Sequence, residues 1–306
     1  MDSTLHVPQQ VRAARIGSAG LGLVANLWAL TKPEINLLIA ITVLVSFLVA
    51  RHGSHVMSIV LAFNTVMGTL LVSSGGAALN HFMERTFDSR MRRTARRPVV
   101  MGRVTPRSAF RFGATLSILG LLYLGLLVNL LSTLIASLAL AIYLVAYTPL
   151  KRVSPLCTLV GAISGAAPPL IGWAGATGTL SRGAWPLYTL LFLWQFPHFM
   201  AIAWIYRDDY ARAGYRVLPG DGQRQQFAAL QAAIPAGIVI PVTIIPWIER
   251  GTWNVYLAGA VLFGFGFLGL AVRFSFKATN RTARQLLFAS IVYLPITFIL
   301  LLLNRG

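Results

Sequence analysis

The sequence predicts an all-α integral membrane protein of nine transmembrane helices, and three observations carry that reading. Apolar residues make up 56% of the chain and charged residues only 11%, with a mean hydropathy of +0.70, far above water-soluble domains. The apolar residues gather into nine runs, most near the ~20 residues that a ~30 Å hydrocarbon core requires. The cations, finally, fall almost entirely in alternate gaps between those runs.

In order, the runs span residues 35–50, 56–79, 105–127, 130–148, 155–176, 184–205, 227–248, 253–272 and 284–303. Only a tight turn at Val128 and Asn129 separates the third from the fourth. Counting them as two spans puts 22 Lys and Arg residues on one side and 4 on the other, and any other count scrambles that asymmetry. By the positive-inside rule the rich side is cytoplasmic, with the amino terminus in and the carboxyl terminus out. The fifth run contains Gly161, Gly165, Ala166, Ala167, Pro168, Pro169 and Gly172, small residues that allow close helix packing or leave cavity space, as do Ser73, Ser74, Gly75 and Gly76 in the second. In the sixth, Gln195 and His198 are polar at membrane depth, and Pro197 is expected to break the local helical bonding.

Residues 1–26 read as a cytosolic tail and 27–306 as a single membrane domain. The start is polar to weakly amphipathic and lacks an apolar core followed by a cleavage site, so a cleaved signal peptide is not expected, while its arginines and scarcity of acids fit a weak transit peptide as well as a tail. In a soluble protein the net charge of +18 would point to nucleic acid; here the cations sit in short loops, where they set topology and meet anionic lipid, and no nucleic-acid partner is expected. Cys157 stands alone, which excludes an intramolecular disulfide and leaves it as a packing residue.

Two polar stretches carry the chemistry. Asn80, Glu84 and Asp88 are spaced four and four, so a helix continuing out of the second run places their oxygens on one face. Arg90, Arg92, Arg93, Arg96 and Arg97 follow at once. Oxygen ligands followed by cations at the mouth of an apolar segment suit a metal-bound diphosphate. After the sixth run, on the same side, Asp208 and Asp209 are bracketed by Arg207 and Arg212. Magnesium (Mg2+) prefers oxygen ligands and is commonly held by one or two carboxylates plus substrate phosphates, so two facing acidic loops fit one or two such ions. Each cluster alone reads equally well as a solvated loop; two of them capping apolar spans on one face weigh against that. Lys151 and Arg152, at the end of the fourth run, satisfy the topology rule and, in the sharper reading, join the diphosphate cradle. His198 with Trp194 and Gln195 is either an interhelical packing group or part of a ligand pocket.

At this point the residues resemble a known family. The pattern from Asn80 through Glu84 and Asp88 to the basic run ending at Arg97-Pro98 is similar to the first signature of the intramembrane prenyltransferases of the UbiA superfamily. Within it, the stretches 30–33, 91–98, 147–152 and 194–210 resemble the protohaem IX farnesyltransferase (haem O synthase) family. The resemblance implies nine helices and a central lipid-accessible cavity under the two acidic loops. It implies that the farnesyl group of farnesyl diphosphate is joined to a vinyl group of haem B, giving the hydroxyethylfarnesyl group of haem O. It implies magnesium held by Asn80, Glu84, Asp88, Asp208 and Asp209, diphosphate bound by Arg93, Arg97, Lys151, Arg152 and Arg207, and haem met by His198, Trp194 and Gln195. The setting implied is the cell inner membrane with the site on the cytoplasmic side, among membrane lipid and in contact with haem-delivery or haem A synthase proteins. One departure stands out: the family usually has Asp at the position of Glu84 and often a further acid at that of Thr86. A prenyltransferase acting on a quinone precursor would share both acidic sites and differ in the acceptor pocket. A transporter would explain the spans and the buried polar groups but not the clustered oxygen ligands.

Overall fold

The computed structural model describes residues 22–51, 59–248 and 255–303, and the secondary structure among them is helical throughout. The expected tail lies outside the described residues up to residue 21; residues 22–30 form a helix, α1. The remaining helices are α2 (Pro33–Ala50), α3 (Ile59–Asp88), α4 (Pro106–Leu127), α5 (Leu130–Ala141), α6 (Thr148–Leu150), α7 (Cys157–Gly165), α8 (Ala167–Thr177), α9 (Ala184–Ile205), α10 (Arg207–Ala213), α11 (Asp221–Ile248), α12 (Val255–Phe276) and α13 (Asn280–Leu303). Among the described residues nine segments are long and apolar enough to cross a membrane, matching the nine expected. The chain is a multi-pass membrane protein, and large exposed side chains such as Leu126, Leu262 and Phe276 are what a lipid-facing surface requires.

Local chemistry sets the boundaries. Pro106 opens α4 behind Thr105, whose Oγ1 accepts the Ser108 N–H at 3.1 Å. In the tight turn, Asn129 Oδ1 accepts from Ser132 N at 2.8 Å while its Nδ2 donates to Ala174 O at 2.8 Å. One side chain thus starts α5 and ties it to α8. With 30 residues, α3 is roughly 45 Å long against a ~30 Å apolar core, so its last turns continue out to the membrane edge.

Two spans are not the plain helices expected. The fourth passes into a π-helical stretch, Ile142–Tyr147, before α6. There the Thr148 hydroxyl reaches back five residues to Tyr143 O at 2.8 Å, and Pro149 supplies no N–H for the preceding turn. The fifth is divided at Ala166 into α7 and α8, because Pro168 and Pro169 withdraw two successive donors. The sixth differs the other way: α9 runs unbroken through Pro197, which removes one helical bond without ending the helix.

The largest apolar cluster joins α8, α9, α11, α12 and α13, and a second holds Leu30 of α1 against Ala78 and Ala109. The α3–α4 seam depends on close backbone approach: a Cβ on Gly75 would stand 2.6 Å from Gly113 O, and one on Gly113 would stand 2.9 Å from Gly75 O.

Candidate active site

The site is the end of the bundle where α3 finishes. Asn80, Glu84 and Asp88 lie one turn apart on α3 and are all buried, at 1%, 4% and 2% exposure. Carboxylates so placed need cations, and the chain supplies them. Lys151 Nζ donates to Glu84 Oε1 at 2.8 Å; Arg97 bonds Asp88 Oδ2 at 2.5 Å and reaches Glu84 at 4.0 Å. Burial works against the charge of Lys151, but Tyr147 and Glu84 outweigh it and hold its pKa well above the ordinary lysine value. Its ammonium also lies 4.4 Å from the centre of the Tyr147 ring.

Asn80 organises the layer beneath. Its Oδ1 accepts from Lys32 Nζ at 2.9 Å, and its Nδ2 donates to Thr148 Oγ1 at 3.2 Å, whose own proton goes to Tyr143 O. Lys32 also donates to the Tyr143 hydroxyl at 3.3 Å. Burial, and then the neighbouring Arg97, push the Lys32 pKa down to about 7. The π-helical stretch therefore has a local consequence: it presents Tyr143 and Thr148 to α3, where both meet the Asn80 layer.

The second acidic stretch packs directly on the first. Arg93 N donates to Asp209 Oδ2 at 3.1 Å, and Arg216 N donates to Lys151 O at 2.7 Å. Met91, Ala213 and Tyr215 form one buried cluster with Phe87, Tyr210 and Val217 around it. The stretch folds as the short helix α10 rather than as a loop, with Asp209 buried and ion-paired to Arg212. Asp208, one residue earlier, is turned outward with a side-chain exposure of 77% and only a loose contact to Arg207.

The expected diphosphate cations divide likewise. Arg97 and Lys151 are inside. The Arg93 side chain lies over Tyr206 at 5.1 Å, and Arg152 donates to Met83 O at 3.3 Å with its guanidinium 4.0 Å from the Phe87 ring centre. Arg207 bonds Trp204 O and Asn280 Oδ1, away from the Glu84 layer. Amide and carboxylate oxygens are the donors a hard cation takes. Yet among the described residues no three His, Cys, Asp or Glu side chains come close enough to share an ion, because cations of the chain hold each buried carboxylate.

Of the three expected haem contacts, two spend their donors on backbone. Trp194 Nε1 donates to Ser290 O at 2.8 Å, and Gln195 Nε2 donates to Ala162 O and Leu191 O, joining α9 to α7. His198 differs. With the Ser290 hydroxyl proton on Leu287 O at 2.6 Å, the tautomer of His198 that pairs with this oxygen is the one donating from Nδ1 at 2.8 Å. The Nε2 lone pair is therefore left free, with the ring stacked on Trp194 at 4.7 Å.

Sequence reasoning counted Lys32 for topology and quoted it and Thr148 only within the stretches 30–33 and 147–152 that carry the resemblance, and it assigned no site role to Tyr143, Thr148, His81 or Tyr215. His81 is 4% exposed with both ring nitrogens unpartnered, and the Tyr215 hydroxyl is likewise buried without a partner. The available signals were Lys32 directly before a proline and two tyrosines four residues apart in an apolar run. A cavity of about 40 Å³ beside Lys151, lined by Tyr147, Cys157, Thr158, Phe199 and Tyr210 among others, has room for a water or two. A fifteen-carbon chain needs far more.

A bundle of nine apolar spans among the described residues with a buried, charge-dense end is a polytopic membrane protein with a polar site at that end. The chain belongs to the UbiA prenyltransferase family, which it matches over residues 10–293. It is 47% identical to the protoheme IX farnesyltransferase of Solibacter usitatus, covering 79% of this chain and 83% of that protein. It is 38% identical to the protein of the same name from Koribacter versatilis, over 98% of each. Among solved structures, a digeranylgeranylglyceryl phosphate synthase superposes with a TM-score of 0.75 at 15% identity, covering 92% of this chain and 98% of that one. A UbiA homolog from Archaeoglobus fulgidus, bound to GPP and Mg2+, gives 0.63 at 14% identity over 90% and 99%.

Proposed function

We propose that this protein transfers the farnesyl group of farnesyl diphosphate to a vinyl group of haem B, forming haem O. The observation in the structure that supports it most is the convergence of Lys151 and Arg97 on Glu84 and Asp88 at the membrane edge, with Asp209 joined to the same layer through Arg93. Cations parked on carboxylates are what an incoming polyanion and its counter-ion would rearrange. Asn80, Glu84, Asp88 and Asp209 would hold magnesium, which when bound supplies positive charge to the diphosphate.

In this reading Lys151 and Arg97 turn from the carboxylates to the phosphate oxygens. The allylic C–O bond breaks with its electron pair kept by oxygen, and both cations stabilise the charge that develops there; aligned groups of this kind are typically worth about 3 kcal/mol each. The prenyl carbon bonds to the terminal vinyl carbon. The cation then left next to the porphyrin takes up water, which loses a proton to become the hydroxyl. Apolar helix faces exclude other water until capture. His198, through its free Nε2, contacts or ligates the haem iron. The site opens to the cytoplasmic side of the cell inner membrane, and residues 27–306 act as one unit.

Purified protein in detergent, given farnesyl diphosphate, magnesium and haem B, should yield a product with the mass of haem O. Prenylation of a quinone precursor with haem B left unchanged would overturn the acceptor and favour the quinone reading.

A further inference from the structure

Lys32 is fixed in place more firmly than setting topology requires. Its backbone lies in the left-handed region at φ 54°, the only non-glycine among the described residues to do so. Pro33 disfavours the right-handed helical alternative for the residue before it. The Lys32 carbonyl accepts from Ile35 N and Asn36 N at 3.0 and 3.1 Å. Asn36 then ties the turn to α3: its Nδ2 donates to Thr31 O and Ser74 Oγ, and its Oδ1 accepts from Ser73 Oγ. Ser73 and Ser74, expected to allow close packing or leave cavity space, thus also anchor the turn that carries Lys32.

The ammonium so delivered meets only neutral oxygens, those of Asn80 and Tyr143. Two acceptors leave one of its three donors over. Among the described residues no carboxylate lies within ion-pair distance of Lys32 Nζ, whereas of the cations that repel it Arg97 has two, Asp88 and Glu84, and Lys151 has one, Glu84. Glu84 and Asp88 offset part of that repulsion from a distance, but neither pairs with Lys32, so a part-buried cation with neutral partners is left to be stabilised by an incoming anion. His81, next to Asn80 and under the charges of Lys32 and Arg97, has two buried ring nitrogens without partners, an independent sign that a polar ligand belongs here.

We propose that Lys32 is a third diphosphate-binding cation of this site, donating to the phosphate oxygens together with Lys151 and Arg97 as the prenyl carbon departs. The proposal rests on the reading of the site as a diphosphate site. Lys32 transfers no proton; it hydrogen-bonds the oxygen that retains the electron pair of the breaking C–O bond. Release of Asn80 Oδ1 by the moving ammonium also frees that oxygen for the cation that accompanies the diphosphate.

The test is the affinity of the purified protein in detergent for inorganic diphosphate with magnesium, measured by calorimetry. Lys32→Gln keeps a donor for Asn80 and removes the charge; its affinity should fall roughly tenfold or more, while Lys32→Arg stays within a few-fold of the parent. Arg97→Gln serves as a positive control. Parental affinity in Lys32→Gln with weakened Arg97→Gln would overturn the role of Lys32 and leave the site standing. No binding by the parent protein would overturn the site and this proposal together. Because Lys32→Gln can fail to fold, acetylation of the parent protein followed by peptide mass analysis provides a second measurement. Diphosphate should slow labelling of Lys32, and an unchanged rate there with Lys151 protected counts against the proposal.

Discussion

Glu84 and Lys151 form a buried pair, and removing one partner of such a pair leaves an uncompensated charge costing about 3–5 kcal/mol. Loss of activity in a single mutant would therefore mix chemistry with folding. The double variant Glu84→Gln/Lys151→Met separates them: its melting temperature should return toward that of the parent, while turnover stays at least about a hundredfold down. An ion pair serving only the fold would return activity together with stability. The aspartates of α10 give a second contrast. Asp209→Asn should cost on the order of a hundredfold in turnover, and Asp208→Asn, exposed and loosely paired, should remain near parental because such pairs are worth ~0–1 kcal/mol. For His198, Ala should weaken haem binding, followed by the haem absorption spectrum, and leave diphosphate affinity intact. Unchanged haem affinity would return the ring to helix packing. No spacing rule could have told Asp208 from Asp209, since both lie between Arg207 and Arg212 and only the turn of α10 decides which one is buried.

Among the elements, most of what periodicity and composition can express is present in the structure: the nine spans among the described residues and the turn at Asn129. The π-helical stretch was not legible, because apolar runs look alike whatever their hydrogen-bond register, and the break at Ala166 was not expected although Pro168 and Pro169 stand in the sequence. Prolines marked one break and not another: a pair at Pro168 and Pro169 divides a span, and the single Pro197 does not. The small residues of α3 were legible as packing, and that can be tested. Gly75→Val would push a side chain into Gly113 O and Ser117 N, backbone atoms that cannot yield, so it should lower the melting temperature and the detergent-extracted yield by an overpacking penalty of about 1–3 kcal/mol. Gly269→Ala in α12, with nothing within 4 Å of the added carbon, should leave melting unchanged or raise it.

At the scale of the whole molecule, hydrogen bonds join loop residues that cation counting assigns to a common side. At one end, Arg93 N meets Asp209, Arg216 N meets Lys151 O and Arg152 meets Met83 O. At the other, Arg51 Nε donates to Ala176 O and Asn129 Nδ2 to Ala174 O. The sequence assigned Arg97, Lys151 and Arg212 to one side and Arg51 and Arg182 to the other from cation counting alone, without any knowledge of these contacts. What counting could not reveal is that the two acidic stretches touch, since contacts across more than a hundred residues leave no local trace. By the positive-inside rule the end that carries Arg97, Lys151 and Arg212 should be cytoplasmic. Reporter fusions truncated after Arg97 and Arg212 should be active only as cytoplasmic reporters, and fusions at Arg51, Arg182 and Arg250 only as reporters of the opposite side. Exchange of every assignment would invert the membrane orientation and leave the site whole. Arg97 and Arg212 on opposite sides would separate Asp88 from Asp209 by a full bilayer, and a single diphosphate site built from both could not exist.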